Sequence, residues 1–174
     1  MYILAQPDHH CRQLIDIISQ YLTSTFGTHF INQLDPSAGL GSHPYHITLI
    51  GKIGSINANE LDIFLSRWRN DHDVVEVIPT NLIKATHNGL VLWLVSSPSL
   101  NQIGSEILRE LRSHLRKNYD VYETTLDSYI DQKYLHITLG ILTTPTLFGK
   151  TFTLPTNLIP EDISFSIDGF GWNY

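Results

Sequence analysis

The letters HITL stand at residues 46–49, inside HPYHITLIG, and again at 136–139, inside KYLHITLG. Each copy sets a hydroxyl two residues after an imidazole: Thr48 after His46, and Thr138 after His136. Imidazole is the side chain best poised to give and take protons near neutrality, so two of them can act as general base and general acid in one displacement. Threonine hydroxyls can donate hydrogen bonds to the non-bridging oxygens of a phosphate. Brought together, the four side chains are equipped to cleave a phosphodiester without a metal ion. One histidine activates water or a ribose hydroxyl, and the other protonates the departing oxygen. The sequence leaves open which histidine does which. Nine histidines make 36 pairs, and chance agreement over the three following residues is expected in roughly one sequence in a hundred.

For these groups to meet, each motif must lie on a strand. Side chains alternate along a strand, so His46 and Thr48 share one face while Ile47 and Leu49 take the other, and the same holds for the second copy. The surrounding pattern agrees. A β-type run at 2–5 precedes helical spacing from about Asp8 to Gly27, carried by Leu14, Ile15, Ile17, Ile18, Tyr21 and Leu22. Residues 32–44 read as a loop, and 45–50 as the first motif strand. A second helix is expected over 57–68, with Asn57 or Asn59 as its N-cap. Strands follow at 74–78 and 81–85, then a hairpin at His87-Asn88-Gly89 and a nearly all-apolar strand at 90–95 with Trp93 in the core. A third helix spans about 100–117, with Pro98 or Ser99 near its start. A polar stretch at 118–132 leads to the second motif strand, 134–142. A short β-like run at 152–154 precedes two closing edge strands, 163–167 and 169–172. The order β-α-β-α-β-β-α-β-β-β predicts an α+β fold with a largely antiparallel sheet, in a single domain over 1–174 with one motif in each half.

Composition narrows the partners. The chain has 174 residues, a formal charge of −6 and only 11 Lys plus Arg. An acidic chain is a poor non-specific binder of long nucleic acid, because neutralising phosphates needs clustered cations. A small nucleotide or a short, end-held oligonucleotide is expected instead. Cys11 is solitary, which suits a reducing compartment. The opening MYILAQPDHHC lacks a basic n-region and a long apolar core, so a cytoplasmic protein is expected, with no membrane segment. No obligate protein partner is evident. No cofactor is expected, and no metal: His43 and His46 stand three apart, but no second cluster has zinc-like spacing. His43 is read as a solvated loop histidine, with the cleft entrance as the alternative, and His9 and His10 as exposed residues at a helix start. Tyr134, which would share the His136 face, and Phe170 and Trp172, at alternate positions near the C-terminus, are the base-stacking candidates, with ordinary core or edge packing as the competing and favoured reading of each. Tyr45, one residue before His46, should face the core.

Two His-x-Thr motifs on β runs, one per half, resemble those of the two-histidine (2H) phosphoesterase superfamily. That superfamily includes RNA 2′,3′-cyclic phosphodiesterases, the so-called 2′-5′ RNA ligases, 2′-5′ oligoadenylate phosphodiesterases and phage enzymes that degrade cyclic-nucleotide signals. The resemblance implies a two-lobed, pseudo-symmetric fold with antiparallel sheets, outer helices and a central cleft. It implies His46 and His136 as the catalytic acid–base pair, and Thr48 and Thr138 as phosphate binders. Members of the RNA ligase branch often carry a basic residue just after a motif. Here only Lys52 is basic, and the second motif is followed by Gly140-Ile141-Leu142. That departure favours a cyclic dinucleotide, an oligoadenylate or a small cyclic phosphate as substrate. A non-catalytic module that binds a nucleotide or an RNA end is the alternative.

Overall fold

In the computed structural model, which describes residues 1–40, 44–54, 56–69, 75–119, 127–128 and 134–173, strand β1 (Tyr2–Pro7) runs directly into helix α1 (His9–Phe26). Asp8 makes that junction. Its carboxylate accepts from the Cys11 amide at 2.9 Å, capping the helix, and from the Ser166 amide at 2.9 Å. Two orphan donors are thereby satisfied by one side chain. Gly27, with φ of 57°, ends the helix as expected. Helix α2 (Ala58–Arg69) starts from Asn57, whose side-chain oxygen accepts from the Glu60 amide at 2.8 Å. Helix α3 (Pro98–Tyr119) starts one residue after Ser97. The Ser97 hydroxyl accepts from the Leu100 amide and donates to the Glu76 carbonyl at 2.6 Å. Each helix turns its apolar stripe to one core. Ile17 and Ile63, counted in those stripes from spacing alone, instead face outward at 42% and 71% exposure.

The strands form an α+β, wholly antiparallel arrangement among the described residues. They are β1, β2 (Phe30–Asn32), β3 (Ile47–Gly51), β4 (Glu76–Ala85), β5 (Leu90–Ser96), β6 (Asp127–Ser128), β7 (Leu135–Leu142), β8 (Thr151–Thr153) and β9 (Phe165–Asn173). The order β2-β7-β5-β4-β9-β1-β3-β6 is joined by a further pairing of β7 with β3. Six strands therefore close a ring of neighbours: β7, β5, β4, β9, β1, β3 and back to β7. The ring has two matched arms. The run β1-α1-β2-β3 is repeated as β5-α3-β6-β7, with β1 pairing β3 and β5 pairing β7. The short second strand of each run crosses over: β2 pairs β7, and β6 pairs β3.

Two expectations are corrected. The segments at 74–78 and 81–85 are one strand, β4, broken only by a register shift between Pro79 and Ile83. Thr80 fills that irregularity: its hydroxyl donates to the Leu94 carbonyl at 2.6 Å, and its carbonyl accepts from the Trp93 indole at 2.8 Å. The two closing edge strands are likewise one strand, β9, and it is internal, paired to β1 on one side and β4 on the other. The apolar strand expected at 90–95 is β5, with Trp93 in the core. Val91, Trp93 and Val95 are buried, whereas Leu90, Leu92 and Leu94 are half-buried on the opposite face. No helix among the described residues is long and apolar enough to cross a membrane.

Candidate active site

The seam between β3 and β7 brings the two motifs together. Ile47 lies opposite Ile137, and both are fully buried. In an antiparallel pair this register sets His46 beside Thr138 and Thr48 beside His136, on the face away from the isoleucines. Directly opposed side chains stand about 5 Å apart at Cβ. All four are half-buried, so they are held by the sheet yet open on one side. Among the described residues neither threonine hydroxyl makes a hydrogen bond to the protein, which leaves both available to a ligand.

The two imidazoles differ. Nδ1 of His46 donates to the Pro44 carbonyl at 2.9 Å. That bond holds a proton on Nδ1. His136 is half-buried on β7. Burial chiefly, then the charges of His46 and Lys84, push its pKa below the ordinary histidine value of 6.5. Burial and these neighbouring charges favour the neutral form of His136.

The register extends the site across the sheet. Thr138 lies opposite Leu92 on β5, and Leu92 lies opposite Lys84 on β4. His136 lies opposite Leu94, and Thr48 opposite Leu4 on β1. Lys84 is exposed between buried Ile83 and Ala85, so it shares the motif face. Sequence reading did not single out Lys84. Its apolar neighbours mark it as outward-facing, but only the register shows that its face is that of the histidines.

The stacking candidates separate. Phe170 pairs with Ala5 and Trp172 with Ile3, and both partners are fully buried on the helix-covered face. Phe170 is 4% exposed. The Trp172 indole donates to Asp62 of α2 at 3.0 Å. Both aromatics therefore serve the core behind the sheet. Gly171, between them, is the β9 residue that turns to the motif face, opposite Leu4. Tyr134 stands half-buried immediately before β7. Tyr45 is buried in the core, and its hydroxyl donates to Asn32 at 2.9 Å. His9 and His10 are exposed at the start of α1, Lys52 is exposed just beyond β3, and His43 lies outside the described residues. Cys11 is buried, and burial pushes its thiol pKa up, which keeps it from acting as a nucleophile. Among the described residues no three His, Cys, Asp or Glu side chains are grouped to hold a metal ion. A separate hollow of about 550 Å³ lies over α2 and α3, where His114 Nε2 meets Glu60 Oε1 at 2.6 Å, lined by neither motif. No protein-family model matches the chain, and no curated protein matches it.

Proposed function

We propose that the protein is a two-histidine phosphodiesterase that hydrolyses a 2′,3′-cyclic phosphate, or a 2′-5′ or 3′-5′ linkage, in a small nucleotide, cyclic oligonucleotide or short RNA. The observation that carries this reading is the register of Ile47 with Ile137, which sets two identical motifs head to tail on one open face. The two-lobed fold of the 2H superfamily is part of the same proposal. Its support is the repetition of β1-α1-β2-β3 as β5-α3-β6-β7 about that seam.

The roles follow from the surroundings of each histidine. His136, kept neutral, takes the proton from the attacking water or ribose hydroxyl. The attacking oxygen bonds to phosphorus as the bond to the leaving oxygen breaks. His46, with its Nδ1 proton engaged by Pro44, gives the Nε2 proton to that leaving oxygen. Thr48 and Thr138 donate to the non-bridging oxygens, where negative charge is held. The set needs no metal ion for any of these transfers. A chain with one cysteine suits the cytoplasm, and its acidity suits a small substrate rather than long nucleic acid.

The test is turnover by the purified protein, with EDTA present, on 2′,3′-cyclic mononucleotides, 2′-5′ oligoadenylate, cyclic dinucleotides and cyclic trinucleotides. Cleavage that survives EDTA and is lost in both His46→Ala and His136→Ala is the expected result. Near-normal turnover in either variant overturns the two-histidine mechanism. Binding without cleavage in the wild type replaces it with a nucleotide-binding role.

A further inference from the structure

We infer that Lys84 reads a second phosphate, one beyond the phosphate being cut, so that the preferred substrate is a phosphodiester carrying at least two phosphates. The inference rests on the phosphodiesterase reading above and names its substrate class more closely. One transverse row of the sheet reads Thr151, Lys84, Leu92, Thr138, from β8 through β4 and β5 to β7. His46 continues the row across the seam. In a chain with 17 acidic and 11 basic side chains, a lysine with no carboxylate beside it is a notable feature of the motif face. Among the described residues the Lys84 ammonium makes no hydrogen bond or ion pair.

Distance separates a second phosphate from the first. Neighbouring strands lie about 4.8 Å apart, so the Lys84 backbone stands about 10 Å from that of Thr138, and further still from the centre of the seam. Its stem reaches about 6 Å from the backbone. The ammonium thus comes to within about 4 Å of the Thr138 line, near enough for its charge to act on His136, and it lies on the side of the row where a second anionic group would follow the first. Leu92 and Leu94, half-buried on the same face, lie between the two positions. They offer an apolar floor to the ribose or base that joins two phosphates. The Thr151 hydroxyl, beyond Lys84, is a further donor on that side.

The experiment compares kcat/KM for matched pairs: a nucleoside 2′,3′-cyclic phosphate and a 2′-5′-linked dinucleotide, each with and without a 5′-phosphate. Wild type, Lys84→Met and Lys84→Arg are measured. Wild type should favour the 5′-phosphorylated member by about tenfold or more, as a charge-assisted contact would give. The preference should collapse towards one in Lys84→Met and persist in Lys84→Arg. No preference in wild type overturns the inference. So does a fall by the same factor on both members of a pair in Lys84→Met, which would assign the ammonium to the scissile phosphate. Either result leaves the phosphodiesterase reading standing. No turnover by wild type of any member, nor of the cyclic dinucleotides and trinucleotides, removes that reading and this inference with it.

Discussion

Burial and positive neighbours hold the His136 imidazole neutral below the usual histidine range. The folded state therefore binds fewer protons at His136 than the unfolded chain does as pH drops below 6.5. Its stability is complete above that value and is lost as pH falls towards the lowered folded pKa. A His136→Gln variant should lose less of its stability between pH 7 and pH 5 than wild type does, as read by urea midpoints. An equal loss would show that other groups carry the acid sensitivity. Turnover has the same origin for its acid limb: activity should hold to below pH 6.5 before protonation of the base removes it. His46→Ala and His136→Ala should each lower kcat by about 10²–10⁴-fold, the usual worth of a positioned acid or base. Thr48→Val and Thr138→Val keep shape and lose one donor each, so about tenfold is expected from each in kcat. The motif residues were legible as letters, because their alternation needs only a strand. The difference between the two histidines was not, since burial and the Pro44 carbonyl belong to the folded chain.

At the scale of elements, the helix starts were readable, with Asn57 alone named as a cap, and the faces less so. Asp8, Asn57 and the Ser97-Pro98 pair begin their helices for local reasons, and local reasons are present in sequence. The partner of each cap was not. The second bond of Asp8 reaches Ser166, far along the chain, so Asp8→Ala removes a helix cap and a tie to β9 together. A loss of about 2–3 kcal/mol is expected by chemical denaturation. Phe170 and Trp172 share a face, as alternation requires. Which face was decided by Ile3 and Ala5, across the strand pair. Trp172→Phe should therefore cost about 1 kcal/mol of stability, through the lost bond to Asp62, and leave KM unchanged. A raised KM without a stability change would return Trp172 to the substrate. Gly140 marks a contact of two backbones: a Cβ there would stand 2.1 Å from the Ile31 carbonyl oxygen. Gly140→Ala should force β2 from β7 and cost about 2 kcal/mol or more.

For the molecule as a whole, the order of elements was legible and the closure of the sheet was not. Periodicity reports what each segment is, while pairing between distant segments depends on complementary faces that no local window contains. The ring puts β9 between β4 and β1 and sets the two motifs on its β3–β7 seam. That seam has a kinetic meaning. The β4–β5 hairpin closes through a four-residue turn and can form early, but Tyr2 must find Asn173 and Ile47 must find Ile137 before the ring is complete. Such non-local pairings fold slowly. After dilution from denaturant, helical signal should return ahead of enzymatic competence, and competence should appear only with the slowest refolding phase. The chain would thus spend its folding time with His46 and His136 apart, and the proposed acid–base pair would exist only once its two halves have recognised each other.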